Sequence, residues 1–206
     1  MSANNEPPAI SAPLRIRPAR SDDAADIARL FLIASDGLAA YIWSKNRPAG
    51  MSILENGAMR YARQNTAFSY ENCTIAEVDG SIVGMLHSYQ MPFGGGHETD
   101  PVLRPYAELE DAGSLYISGI AVNSDCRGLG IGNRLLDVAE ARAAALGLSR
   151  LSLICFAENR DAMRLYLKRG YHPIDRRKIV KHPSLRYKRG DALLMRLDLP
   201  RACAAA

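Results

Sequence analysis

The sequence has no apolar run long enough to cross a bilayer, and no N-terminal segment in which basic residues precede an apolar stretch. These absences argue against a membrane protein and a secretory leader, so we expect a cytoplasmic protein without membrane partners. Cysteine is also scarce. The four residues Cys73, Cys126, Cys155 and Cys203 show neither the paired spacing of a metal site nor the density of a disulfide framework. This predicts reduced thiols and no bound metal.

The length and composition are those of one folded domain. The chain has 206 residues, of which 48% are hydrophobic, and it contains no internal repeat. Residues 1–12 are rich in Pro, Asn, Ala and Ser without periodicity, so we expect a flexible N-terminal tail. We expect residues 13–200 to form the single domain.

The net charge of +4 is unevenly distributed. From Arg160 onward there are 13 Lys and Arg against 4 Asp and Glu, whereas the preceding part has 13 against 18. Such a basic segment can bind nucleic acid, an acidic acceptor or the phosphates of a cofactor. Because no nucleic-acid recognition motif accompanies the charge, we expect no nucleic-acid partner.

Periodicity in the first half predicts two helices and a hairpin after an initial strand. Residues 14–17 alternate apolar and basic, as a strand does, and Ser21 offers an N-cap to a helix that ends near Gly37. A second helical stretch covers about residues 52–65, with residues 41–43 in the link. Asp79-Gly80 lies between two apolar runs, which is a strong hairpin signal. A long loop of about residues 90–112 follows, and such loops are more often functional than not.

The most informative segment runs from Ile117 to Leu136. An apolar strand leads into a glycine-rich loop and then directly into an amphipathic helix. This order points the free N–H groups of the loop and the positive end of the helix dipole at one place, which favours phosphate binding. Gly128, Gly130 and Gly132 allow a ligand to approach the backbone closely.

Three phosphate-binding patterns can be compared with this loop. A Walker loop needs Lys followed by Ser or Thr, but Asn133-Arg134 stand there. A dinucleotide fingerprint needs a further glycine where Asn133 lies, and an acidic residue about twenty positions later. The pattern Arg/Gln-x-x-Gly-x-Gly/Ala is matched by Arg127, Gly130 and Gly132, and the segment resembles the pyrophosphate loop of the GNAT superfamily of N-acetyltransferases.

A second block supports the resemblance. Residues 151–156 form an apolar strand pattern, and the segment after it is similar to the second cofactor block of the GNAT superfamily. Asn159, Ala162, Tyr166, Gly170 and Tyr171 stand in register with that block. The resemblance covers about residues 14–199. It implies an α/β (α+β) GNAT fold with a mixed, mostly antiparallel sheet of about 6–7 strands and helices on both faces.

The resemblance also implies a cofactor and its contacts. Acetyl-CoA serves as co-substrate, with the Arg127–Asn133 backbone around the pyrophosphate and the backbone of residues 120–122 paired with the pantetheine amides. Asn159 and Ala162 would border the pantetheine arm. The full set implied for cofactor binding is Ile120, Ala121, Val122, Arg127, Gly128, Leu129, Gly130, Ile131, Gly132, Asn133, Asn159, Ala162 and Tyr166.

The implied reaction is acetyl transfer to a primary amine by direct attack in a ternary complex. A backbone N–H near Ile120 would stabilise the oxyanion, and Tyr166 would protonate the leaving thiolate, because an ordinary phenol is protonated at neutral pH. The general base stays open. Many relatives place Glu on the strand before the loop, where this chain has Ser118 and Gly119, and the remaining candidates are Glu108, Glu110, Asp111 and His87.

We expect the acceptor to be a small amine or a peptide. A small amine, an amino acid, an antibiotic, a peptide N-terminus and a lysine side chain all stay open. We expect its pocket between the segment 36–47, the long loop up to Glu110 and the basic loop 181–189, with Tyr41 and Trp43 as aromatic walls. A coenzyme A-binding sensor or regulatory module without turnover is the alternative function. Homodimerisation through edge strands or the C-terminal segment stays open.

Overall fold

Seven strands of a single sheet form the centre of the structure. The computed structural model describes residues 13–94 and 97–200, so the expected N-terminal tail (1–12) and Cys203 lie outside the described residues. The strands are β1 (Arg15–Pro18), β2 (Cys73–Val78), β3 (Ser81–Gln90), β4 (Leu115–Val122), β5 (Arg150–Phe156), β6 (His172–Lys178) and β7 (Asp191–Asp198). The helices are α1 (Ala24–Ala34), α2 (Leu38–Lys45), α3 (Ile53–Tyr61), α4 (Arg104–Ala107), α5 (Ile131–Ala145) and α6 (Arg160–Lys168).

The sheet order is β1-β2-β3-β4-β5-β7-β6. Every neighbouring pair is antiparallel except β4 and β5, which run parallel. A parallel pair needs a crossover, and α5 provides it between these two strands. The predicted mixed and mostly antiparallel sheet is therefore confirmed.

Helices cover both faces of the sheet because strand residues alternate between two cores. Ala76 and Leu86 belong to the core that contains the α5 residues Leu135 and Ala139. Their neighbours on β2 and β3, Ile75 and Met85, instead pack with α1, α2 and α3. This alternation is the period-2 pattern of a strand buried on both faces.

The predicted hairpin forms between β2 and β3. Asp79 and Gly80 have φ values of 49° and 72°, and both central residues of a type I′ turn require positive φ. The register of the two strands pairs Val78 with Ser81.

Three predictions about the first helices were wrong in detail. Residues 41–43 lie within α2 and not in a link, and Gly37 precedes α2, with α1 ending at Ala34. Ser21 opens a short 3-10 turn instead of capping α1, whose N-cap position is Asp23. The Asp23 carboxylate accepts the backbone N–H of Arg20 at 2.7 Å. Arg17 also binds Asp23, which fixes β1 to this turn.

The long connection between β3 and β4 contains the short helix α4 in its described part. The buried residues Val102, Tyr106 and Leu109 anchor this connection to the fold. In the described ranges 13–94 and 97–200, no helix is long and apolar enough to span a membrane.

Candidate active site

A gap opens in the sheet where β4 and β5 diverge. The two strands pair only at Leu115 with Leu151, Tyr116 with Ser152 and Ile117 with Leu153. Beyond Ile117, β4 continues to Val122 while bonded to β3 alone, so its other edge faces the gap. Ser118 is an extra residue on β4 at this point, because His87 pairs with Gly119 and Ser88 with Ile117. Such bulges bend a strand and turn its backbone groups away from the neighbouring ladder.

The glycine-rich loop lies at the end of β4 and leads into α5. Gly128 and Gly130 have φ values of 80° and 77°, which glycine adopts without strain. A Cβ at either position would have no protein atom within 4 Å, so the space above the loop is open. Gly130 provides no side-chain cap to α5, so the first amide groups of the helix have no capping partner there. The Nε of Arg127 donates to the Val122 carbonyl at 3.3 Å and closes the loop against β4.

The gap, the loop and the first turn of α6 border one cavity of about 830 Å³. Most of the residues predicted for cofactor binding line it: Ile120, Ala121, Val122, Arg127, Gly128, Gly130, Ile131, Gly132, Asn133, Asn159, Ala162 and Tyr166. Leu129 packs against the core instead of lining the cavity. A cavity of this size can enclose a drug-sized ligand or part of a larger one.

Tyr166 is buried in the cavity wall on α6. Its ring packs against Tyr171 with 5.7 Å between the ring centroids. Burial raises the pKa of Tyr166 well above that of a free phenol, and the nearby Cys155 and Asp36 act in the same direction. The phenol is therefore protonated over the whole physiological range, as a proton donor must be.

Asn159 and Asp36 form a buried polar contact in the same cavity. The Asn159 Oδ1 accepts the Ala162 N–H at 3.3 Å and caps α6, while its Nδ2 donates to Asp36 Oδ2 at 2.9 Å. Arg186 lies 3.4 Å from the other Asp36 oxygen. Burial outweighs these contacts and raises the pKa of the Asp36 carboxyl. Both ends of the Asn159 carboxamide are thus engaged within the protein.

Among the four candidates for the general base, only Glu110 lines the cavity. Glu108 pairs with Arg177 at 2.9 Å and Asp111 with Arg150 at 3.0 Å, and neither residue borders the cavity. Partial burial raises the pKa of the Glu110 carboxyl, so it holds a proton more readily than a solvated carboxylate.

His87 is a core residue outside the cavity. Its Nε2 lies 2.9 Å from the Ala67 carbonyl and its Nδ1 lies 3.1 Å from the Tyr61 hydroxyl. The carbonyl can only accept, so Nε2 carries the proton and Nδ1 accepts from Tyr61. Burial lowers the pKa of His87 to about 4.

The three segments expected to form the acceptor pocket each contribute to the cavity wall. Trp43, Glu98 and Arg186 represent them among the lining residues. Tyr41 does not line the cavity. Its hydroxyl donates to Asp100 at 2.8 Å, and its ring packs on His182 at 4.4 Å between centroids.

Several lining residues carried no signal in the sequence. Arg60 on α3, together with Tyr89 and Tyr116 on β3 and β4, borders the same cavity. A charge at the end of an amphipathic helix is ordinarily solvated, so only the packing of α3 against α1 and α2 could identify Arg60. No group of three or more potential metal-ligating side chains occurs among residues 13–94 and 97–200.

Comparisons with known proteins agree with this architecture. The model of the acetyltransferase (GNAT) family matches residues 38–171. A protein of Methanocaldococcus jannaschii, described as an uncharacterized N-acetyltransferase, is 32% identical over 136 residues, which cover 65% of this chain and 70% of that protein.

Solved structures show the same fold at lower sequence identity. The N-acetyltransferase from Staphylococcus aureus Mu50 has a TM-score of 0.61 at 21% identity, covering 92% of this chain and 100% of that chain. The Salmonella typhimurium protein yncA, solved with its cofactor acetyl-CoA, has a TM-score of 0.59 at 17% identity, covering 95% and 99%.

The fold, the open strand edge beside the glycine loop and these similarities define an acyltransferase. The chain belongs to the GNAT family of acetyltransferases, whose shared activity is acetyl transfer and whose cofactor is acetyl-CoA.

Proposed function

We propose that this enzyme transfers the acetyl group of acetyl-CoA to a primary amine by direct attack within a ternary complex. The observation that carries the proposal is the unpaired edge of β4 beyond Ile117, which continues into the open glycine loop within one cavity. Backbone groups at such an edge need a hydrogen-bonding partner, and an extended ligand with amide groups supplies one.

The residues around this edge suit the parts of the coenzyme. The loop from Arg127 to Asn133 and the first turn of α5 offer N–H groups to the pyrophosphate. The backbone of residues 120–122 pairs with the pantetheine amides, while Asn159 and Ala162 border the arm. Bound there, acetyl-CoA supplies the activated acetyl group.

Three groups of the chain would act on the reacting atoms. A backbone N–H near Ile120 stabilises the developing oxyanion. Tyr166 donates its phenolic proton to the leaving sulfur. Glu110 removes a proton from the acceptor amine, directly or through a water molecule, and its raised pKa makes it a stronger base than a solvated carboxylate.

Two measurements test the proposal. Isothermal titration with acetyl-CoA should show micromolar binding, with ATP and NAD as controls that do not bind comparably. A screen of primary amines should then show release of free thiol. Coenzyme binding without turnover of any amine would favour a sensor or regulatory module. Absence of coenzyme binding would contradict the proposal.

A further inference from the structure

Arg60 is a cation in the wall of the cavity that has no counter-ion among the described residues. It lies in the last turn of α3, its Nε is buried, and no described residue accepts a hydrogen bond from that atom. Burial lowers the pKa of its guanidinium, the charge of Arg63 acts in the same direction, and no carboxylate among the described residues offsets these effects. Arginine nevertheless keeps its charge, because its pKa stays far above neutrality.

The other two arginines of the cavity differ from Arg60. Arg186 lies 3.4 Å from the buried Asp36 carboxylate. Arg127 belongs to the glycine loop and contacts the backbone of Val122. Among the described residues that line the cavity, Arg60 is therefore the cation that remains available for a ligand. Its neighbour on α3, Tyr61, packs against Trp43 of the expected acceptor segment with 6.4 Å between the ring centroids.

A partly buried charge without a counter-ion is costly, so an anionic ligand group would be bound favourably there. The planar guanidinium matches the two oxygens of a carboxylate, and one positive charge balances one carboxylate. Phe31, Phe68 and Tyr89 also line the cavity and suit an apolar ligand body. Tyr61, next to Arg60 on α3, packs against the rings of Phe31 and Phe68. Glu98 and Glu110 line the same cavity and suit the ammonium end of the ligand.

We propose that Arg60 binds a carboxylate of the acceptor, so that the enzyme acetylates amines that also carry a carboxylate, with apolar amino acids as the representative class. This inference rests on the proposed acetyltransferase function. It narrows the acceptor from any primary amine to a primary amine that also carries a carboxylate.

The experiment compares matched acids and amides. L-Phenylalanine, L-leucine and L-methionine are each assayed against their carboxamides for thiol release from acetyl-CoA, and binding of the N-acetyl acids and amides is measured in the presence of coenzyme A. We expect kcat/KM for the acids to exceed that for the amides by about tenfold or more, as for other charge-assisted hydrogen bonds.

Arg60→Gln should abolish this preference by raising KM for the acids, with little change for the amides or in the affinity for acetyl-CoA. Arg63→Gln is the control, because it removes the same charge from an exposed side chain three residues further on. It should retain the preference.

Two results would overturn the inference. One is the absence of any preference for acids over amides, in both turnover and binding. The other is an equal fall in kcat/KM for the acids and for their carboxamides in Arg60→Gln. Failure of the proposed function would look different, because the protein would then bind no acetyl-CoA or release no thiol with any amine, neutral ones included.

Discussion

At the scale of single residues, burial determines what each titratable group can do. Tyr166 and Glu110 both border the cavity, and both have a raised pKa because water is partly excluded around them. His87, which is fully buried, instead has both ring nitrogens hydrogen-bonded within the core. Chemistry is therefore expected from the first two and stability from the third.

Tyr166→Phe removes the phenolic hydroxyl without changing the shape of the α6 face. We expect acetyl-CoA affinity to stay within a few-fold of the wild type and kcat to fall by about 100-fold, the usual contribution of a positioned proton donor. Calorimetry and steady-state kinetics measure the two quantities separately. An unchanged kcat would remove Tyr166 from the reaction.

Glu110→Gln keeps the size of the side chain and removes the basic oxygen. In the wild type, kcat/KM should fall on the acid side as the carboxylate is protonated, above the pH at which a solvated glutamate titrates. The pH profile of the variant should lack this fall on the acid side. Its kcat/KM at neutral pH should be about 100-fold lower than that of the wild type. Glu108→Gln is the matched control, because that carboxylate pairs with Arg177 outside the cavity. Identical pH profiles for wild type and Glu110→Gln would exclude this carboxylate as the base.

His87 should make stability depend on pH. Its pKa falls from 6.5 to about 4 on folding, so between these values the unfolded chain binds a proton that the folded chain does not. The contribution of neutral His87 to the free energy of unfolding is therefore fully present above pH 6.5. It is lost as the pH falls towards 4, by about 3 kcal/mol in total. Urea unfolding at several pH values measures this slope. His87→Gln, which does not titrate, should be less stable at pH 7 but should show a shallower slope over the same range.

At the scale of secondary-structure elements, the turn between α1 and α2 joins distant parts of the chain. Asp36 carries its carboxylate to Asn159 at the start of α6, and its carbonyl accepts the Arg186 N–H at 2.8 Å. The turn needs positive φ at two successive residues, 47° at Asp36 and 97° at Gly37. The first residue tolerates this because aspartate is among the side chains that adopt the left-handed region.

Gly37→Ala should disturb this junction. A Cβ at Gly37 would lie 2.0 Å from the Ser184 carbonyl oxygen, so the turn or the 182–186 segment must move. We expect a loss of about 2 kcal/mol or more in unfolding free energy, together with reduced activity, because Asp36 and Arg186 both line the cavity. Gly50→Ala is the control, since φ is 81° there but no atom lies within 4 Å of the added Cβ. Equal losses in the two variants would show that φ strain alone is responsible.

The sequence predicted the elements whose signals are local. The Asp79-Gly80 turn, the α5 crossover and the strands around it follow from turn chemistry and periodicity, and the strand predicted at residues 151–156 agrees with β5 to within one residue. The sequence does not indicate α2, which contains residues 41–43, because this helix is only eight residues long and follows a left-handed turn. Short helices of this kind are stabilised by tertiary packing more than by propensity.

The site was only partly accessible to the same reasoning. The glycine loop and Tyr166 belong to compact motifs, so their residues could be named in advance. Arg60, Asp36 and Glu110 line the same cavity although tens of residues separate them in the sequence, and whether each charge is buried depends on neighbours from other elements. Periodicity within one element contains no information about those neighbours.

At the scale of the whole molecule, the sheet consists of a four-strand part and a three-strand part. The parallel pairing of β4 and β5 joins them through three residue pairs, whereas the antiparallel pairing of β5 and β7 extends over seven. The cavity lies where the two parts separate, and residues of both parts line it.

Saturating acetyl-CoA should stabilise the whole protein. At a hundred times its dissociation constant, a ligand that binds only the folded state adds about 2.7 kcal/mol. For a chain of this length, that corresponds to a rise of about 5–10 °C in Tm. Differential scanning calorimetry with and without the coenzyme measures the shift, with ATP as control. Identical melting curves would contradict occupancy of the gap.

The three-pair seam has a consequence for how long such a protein lasts in a cell. On the proposed function, the bound coenzyme makes the hydrogen bonds that are missing between β4 and β5, so part of the stability of the fold depends on a metabolite. Degradation of the protein by proteases would then slow when that metabolite is abundant. On this view, the amount of such an enzyme in a cell would follow the amount of its own co-substrate.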